Sequence, residues 1–434
     1  MKNSTCKKNN RRMIVLCAVG VIALCHNVQG APDTPKPVVP PSKLLSKSLS
    51  QSPSTLAQAY VYIPLTKYDP PTPYKSAKSF NVILQYKQKP DGALVPLIPP
   101  SIPVKSPYYY LCAVHPNGHF FYTGTNPLHV YRVSRNGQLA MLQQSLAFLP
   151  PINQITFTPD GRFCYLIHPH YDQYNGIVGD DDLIACQVSK DGLLHPIPGG
   201  QIKAGNKVAS MTVDHTGKFL YASVYNSDLS GNRAYTLCYR IRPNGALNLL
   251  DPQGSDSDAA PQQLTAAPSD PMVYLASKGG MSAWQIAADG TLHLKQDQIG
   301  SITVLTFVID GQDRLVFGIG QPGIEASFSN HQLVVWRQLA DGMLSVPFSW
   351  YMADDGFLYS EDKLVPEKRF ALPQGLVFDP ASHMLYVRDL RTDRVFRYLI
   401  GSDGIPRLQA PWLSVGVKTD DMLIGNCLFL GYSN

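Results

Sequence analysis

The densest chemistry-bearing stretch of the chain is His168-Pro169-His170-Tyr171-Asp172, followed by Asp180, Asp181 and Asp182. Two imidazoles and several carboxylates in one loop can polarise a carbonyl, take a proton from water or hold a cation. Their spacing matches no zinc or EF-hand pattern, so no metal is assigned, and a solvated acidic loop is the structural alternative. Tyr225-Asn226-Ser227-Asp228 with Arg233 forms a second group. An Arg fork binds carboxylate or phosphate at two points and suits a developing oxyanion, while Asn and Asp side chains also cap loops. Glu325 and His331 form a third group with the same two readings. His168, His170 and Arg233 are the catalytic candidates; Asp172, Asn226, Glu325 and His331 are the substrate-binding candidates. There is no Gly-rich phosphate loop, Gly-x-Ser-x-Gly elbow or His-Glu-x-x-His, and no cofactor is called for.

The elements that must hold these residues are set by a repeat. Tyr86, Tyr131, Cys186, Tyr239, Trp284, Trp336 and Tyr398 each stand six residues before the Gly of an Asp-Gly or Asn-Gly turn. Those glycines are 45, 55, 53, 45, 52 and 62 residues apart. Before each of these hairpins, from the second unit on, lies another turn leading into a β-type run, such as Asp160-Gly161 into Phe163-Cys164-Tyr165. Turn dipeptides between β-formers signal hairpins, so each unit reads as four strands, A to D. Strand B carries a Tyr or Phe and strand C the recurring aromatic. This is the period of a propeller blade.

The predicted fold is all-β: a seven-bladed propeller of four-stranded antiparallel blades over 59–434. The blades fall at 59–98 plus 421–434, 108–144, 153–199, 207–251, 262–297, 303–347 and 374–411. The first unit lacks strand A, which Cys427-Leu428-Phe429-Leu430 supplies, closing the ring. A–B and C–D turns share one face. The long links 64–79, 168–181, 225–233, 320–330 and 348–373 lie on the other, where function on a rigid scaffold usually sits. The insert 351–373, rich in charge and aromatics, reads as a lid, a partner-binding element or a variable loop. The repeated aromatics read as packing between blades rather than stacking platforms.

Residues 1–30 read as a secretory signal, with a basic start and the apolar run Met13 to Cys25. Residues 31–58, rich in Pro and Ser, read as a linker. The 434-residue chain carries a formal charge of +5. Without the five Lys/Arg of residues 1–30 it has 32 basic and 32 acidic residues and no net charge. No nucleic-acid partner is therefore expected. The mature chain is expected to be an exported, periplasmic or extracellular monomer with no transmembrane segment. It would bind a small molecule or a protein partner on the long-loop face. Its five cysteines match no metal motif; Cys164 and Cys186, in neighbouring strands, form the one disulfide hypothesis.

The units "FTPDGRFCYLI" and "VHPNGHFFYTGTN" resemble the Pro-Asp-Gly-Lys-Phe-Leu-Tyr units of the seven-bladed lactonase family, which contains 6-phosphogluconolactonases and carboxymuconate-cyclising relatives. The segment Asp389-Leu390-Arg391-Thr392-Asp393 is similar to that family's Asp-Leu-Gly-x-Asp strand pair, with Arg391 at the Gly. The resemblance adds Asp389 as a catalytic and Asp393 as a substrate-binding candidate beside Arg388 and Arg394. It implies a hydrolase of a small cyclic ester, which the signal reading places among exported proteins. The alternative is a non-catalytic propeller that binds a ligand or partner on the same face.

Overall fold

The computed structural model describes residues 58–69, 78–104, 112–124, 127–144, 152–172, 176–177, 179–205, 207–226, 233–257, 260–300, 302–310, 314–322, 331–360, 373–389, 391–415 and 429–433. The signal and linker readings lie outside these residues, as do Glu325, Cys427 and most of the insert 361–372. Among the described residues every regular element is a strand. They form seven antiparallel sheets of four or five strands, plus a two-stranded ribbon in one loop.

Blade 3 shows the plan. Strands A to D are Gln154–Phe157, Phe163–His168, Asp182–Val188 and Leu194–Lys203, hydrogen-bonded in that order. Blade 4 repeats it with Lys207–Val213, Phe219–Asn226, Arg233–Ile241 and Leu247–Ser257. In blade 1, strands B, C and D are Gln58–Asp69, Lys78–Gln88 and Leu94–Val104. Strand A is the C-terminal Phe429–Ser433, paired with strand B from Gln58↔Ser433 to Tyr62↔Phe429. The closing strand is thus confirmed over its described residues, Phe429–Ser433. Each strand A touches the strand A of the next blade around the whole ring, so no blade edge is left open on the channel.

The turns repeat because one local chemistry repeats. The Asp or Asn carboxyl or amide oxygen accepts the amide two residues on, as in Ala93 N to Asp91 Oδ1 (2.9 Å), Ala246 N to Asn244 Oδ1 (3.1 Å) and Thr291 N to Asp289 Oδ1 (2.9 Å). The following Gly takes a left-handed φ, +83° at Gly245, which costs an L side chain but not glycine. A second demand falls on the same residue: a Cβ on Gly245 would stand 2.4 Å from Phe163 Cδ1 of blade 3.

That approach aligns a hydrogen bond between blades. Tyr165 of strand B donates its hydroxyl to the Gly245 carbonyl of the next blade at 3.0 Å. The same link runs from Tyr62 to Gly137 (2.7 Å), Tyr122 to Gly192 (2.7 Å), Tyr221 to Gly290 (3.1 Å), Tyr274 to Gly342 (2.8 Å) and Tyr386 to Gly92 (2.9 Å). The strand-C aromatics are all buried, in keeping with packing rather than ligand stacking.

Three details differ from the sequence reading. The link 64–79 is strand over 64–69 and 78–79, since B and C of blade 1 run on to the pair Asp69↔Lys78. In blade 6, Leu344 makes only a bridge with Gln338, and strand D is Phe348–Met352, with a fifth strand at Leu358–Tyr359. Residues 348–359 are therefore part of the blade and not a free loop. The Asp355-Gly356 turn between those strands docks on blade 7, where Tyr398 donates to Gly356 O at 2.6 Å. Cys164 and Cys186 do stand opposite each other, both fully buried, but as free thiols. The Val188 N to Arg162 O bond makes theirs, two residues along, a hydrogen-bonded pair.

Gly245→Ala is expected to destabilise the chain by about 2–4 kcal/mol, combining left-handed backbone cost with overpacking against Phe163. Tyr165→Phe, which only orphans the carbonyl, is expected to cost about 1–2 kcal/mol. Guanidinium unfolding midpoints of the two variants should fall in that order.

Candidate functional site

Strands B and C of blade 3 end opposite each other, with Asp182 in register with His168. The chain between them leaves strand B through His168, Pro169 and His170, makes the short ribbon Tyr171↔Ile177 and Asp172↔Gly176, and re-enters at Asp181. This returns His170 onto the start of strand C. Its Nε2 lies 2.7 Å from Asp182 Oδ2. The His168 and His170 rings are 4.6 Å apart between centroids, tilted by 51°. One ligand atom from each of His168, His170 and Asp182 falls within 4.8 Å of the others.

Two carboxylates organise the loop. Asp182 is buried and also accepts Gln201 Nε2 from strand D at 2.8 Å. Burial works to raise its carboxyl, but the bonds from His170 and Gln201 and the charges of His170 and Lys203 outweigh it and hold the group ionised, below its usual range. Asp181 faces the other way. It accepts His170 N at 3.2 Å and Val208 N of blade 4 at 2.8 Å. There burial dominates and raises the carboxyl despite those amides and the Lys207 charge. The imidazole end of the loop is therefore tied to two blades at once. Two half-exposed imidazoles over an ionised, buried carboxylate can shuttle a proton or ligate a cation.

The other candidates stand elsewhere. Arg233 and Asn226 face each other at the B–C end of blade 4, next to blade 3 and on the same face; their side chains lie outside the description, as does that of Asp172. His331 opens strand C of blade 6 and is buried, with Gln321 Nε2 donating to its Nε2 at 2.6 Å. Asp389 and Asp393 bracket a tight B–C turn in blade 7. The Asp389 carboxylate accepts Arg391 N (3.1 Å), Thr392 N (3.0 Å) and the Thr392 hydroxyl. Asp393 holds a left-handed φ of +56°. Blades 6 and 7 lie across the ring from blade 3, so these residues do not join the His168 cluster. Arg388 is buried and donates to Pro64 O of blade 1 at 3.3 Å. The partner that sequence reasoning passed over is Asp182. Its signal was the hairpin register, which sets it opposite His168.

Burial, and secondarily the Arg391 charge, lowers His331 from its usual 6.5 to about 4, Asp389 opposing weakly. The unfolded chain therefore binds a proton that the folded chain refuses between these values. Stability is full above about pH 6.5 and falls as pH drops toward 4, by on the order of 3 kcal/mol. His331→Gln should flatten this acid limb in denaturation midpoints measured from pH 7 to 4. Asp389→Ala is expected to lose about 1–3 kcal/mol as two turn amides lose their acceptor, read by the same measurement, without lowering any activity seated in blade 3.

No protein-family model and no curated protein matches the chain. Solved structures do match. A provisionally assigned 6-phosphogluconolactonase from Bacteroides uniformis superposes with a TM-score of 0.56 at 15% identity, over 86% of this chain and 99% of that one. Another from Bacteroides fragilis gives 0.57 at 13%, over 87% and 99%. A periplasmic gluconolactonase from Pseudomonas aeruginosa gives 0.57 at 14%, over 86% and 100%. Together with the ring of seven blades, these matches establish that the chain has the fold of the lactonase-like seven-bladed β-propellers.

Proposed function

We propose that this chain is an exported hydrolase of small cyclic esters, acting at the His168–His170–Asp182 cluster on the long-loop face. The observation that carries the reading is the 2.7 Å bond between His170 Nε2 and Asp182 Oδ2. It fixes the imidazole orientation as an acid–base group needs. The likeness in fold to proteins described as lactonases, one of them periplasmic, and the basic-then-apolar first thirty residues support the same reading.

In this scheme Nε2–H donates to Asp182, which leaves Nδ1 of His170 to accept a proton from water. The water oxygen bonds to the ester carbonyl carbon and the carbonyl oxygen gains the negative charge. Arg233 of the next blade is the group proposed to meet that oxyanion. Collapse restores the carbonyl and breaks the ring C–O bond. The departing alkoxide takes the proton from His170, giving an open hydroxy acid. His168 packs on the His170 ring and closes it against rotation.

The test is turnover of a panel of five- and six-membered lactones by the mature chain. His170→Ala and Asp182→Asn are expected to lower kcat by about 10²–10⁴, with Arg233→Ala raising the barrier further through the oxyanion. No turnover above buffer on any lactone would remove the hydrolase reading and leave the face as a binding surface.

A further inference from the structure

The geometry points to a divalent transition-metal site at His168, His170 and Asp182, an assignment we make beyond the proton chemistry above. The donor atoms already converge, all within 4.8 Å of one another. The surroundings of Asp182 leave it able to take a cation. This carboxylate side chain is only 5% exposed, and its two direct partners, Gln201 and His170, are an amide and an imidazole that is positive only when protonated. Lys203 acts on it at a distance, as its cross-strand neighbour. An ionised, buried carboxylate facing two imidazoles is a ready ligand for a cation.

The donor set selects the ion. Two imidazoles and one carboxylate suit Zn²⁺, Fe²⁺, Mn²⁺ or Ni²⁺, whereas Mg²⁺ and Ca²⁺ prefer oxygen. The surrounding groups match those that orient ligands in metal sites. Gln201 Nε2 anchors the Asp182 carboxylate at 2.8 Å, and the Asp181 carboxylate holds the His170 amide at 3.2 Å. Binding replaces the His170–Asp182 hydrogen bond with two coordinate bonds. The proton on the ligating nitrogen moves to the other ring nitrogen, or to solvent if the ring was charged. Three protein ligands leave positions open for water, whose proton the cation would release more readily, so that in the metal-bound chain this water would supply the hydroxide in place of the His170 base. The catalytic part of this inference rests on the hydrolase reading; the binding does not.

The experiment is titration of the chelator-stripped mature chain with Co²⁺, read by visible absorption, and with Zn²⁺, read by calorimetry. One equivalent is expected to bind. Gln201→Ala should weaken binding about 10–100-fold, and His168→Ala by more, with melting curves of the stripped variants matching the parent. Bands indistinguishable from aqueous Co²⁺ in the parent chain, or affinity unchanged in both variants, would overturn the site. Should the variants not fold, the parent's Co²⁺ spectrum alone decides. Lactone turnover that survives chelation in a chain that binds no Co²⁺ refutes the metal and keeps the hydrolase. Saturable binding without turnover on any lactone does the reverse.

Discussion

The hydroxyl of a strand-B tyrosine, donated to the turn-glycine carbonyl of the following blade, organises the molecule. It needs three things at once: a buried phenol that stays protonated, a carbonyl turned sideways, and no Cβ on the turn residue. Burial, the leading cause in each case, lifts the phenols of Tyr62, Tyr122, Tyr165, Tyr221, Tyr274 and Tyr386 well above their usual range, so they remain donors. The glycine requirement is severe, since a Cβ on Gly137 would meet Tyr60 Cδ1 at 2.0 Å. Between blades 6 and 7 the strand-B residue is Phe317, which has no hydroxyl. There the Arg337 guanidinium donates to Asp403 O in the equivalent turn, so the link persists with a different donor.

Fixing one end of every blade frees the other. The A–B and C–D turns are held at fixed length by packing against a neighbour, and insertions there would break the latch. The B–C links carry no such demand, and they range from the two residues Lys278-Gly279 of blade 5 to the ribbon-bearing loop of blade 3. Glutamine side chains reinforce the rigid part: Gln154 pairs with both backbone groups of Met211, and Gln263 with both of Phe307, all at 2.9–3.0 Å. A site at the free end thus inherits a stiff base, which acid–base or metal chemistry requires.

Much of this was legible because the latch is written in residue types. A Tyr or Phe in strand B, an aromatic in strand C and Asp/Asn-Gly six residues later can be counted along the chain. What was not legible follows from the same logic. Trp350 stands six residues before Gly356, an eighth copy of the pattern, but its turn docks the other way, against strand C of the following blade, where Tyr398 and Phe396 meet Gly356. Too little chain separates Gly342 from Gly356 to add a blade, so the copy became an extra hairpin on blade 6. The pattern reports hairpins; only chain length between hairpins reports blades. The extension of strands B and C in blade 1 carried Pro64, Lys67 and Asp69, residues that read as loop, and pairing along the long hairpin overrode that preference.

The candidate site shows the same limit at the level of one side chain. Asp182 and Asp389 are both buried aspartates where strands B and C meet, one entering strand C of blade 3 and the other leaving strand B of blade 7. Residue type does not separate them. Loop length does. In blade 7 the chain reverses at once, and the carboxylate is taken up by amides and a hydroxyl of its own turn. The two amides are fixed by the backbone and cannot yield to a substrate or an ion. In blade 3 the longer loop carries its amides away, and Asp182 is met by the movable side chains of His170 and Gln201. A buried charge held by groups that can exchange partners is available for chemistry. The resemblance in sequence pointed to blade 7, whereas the movable partners of Asp182 favour blade 3.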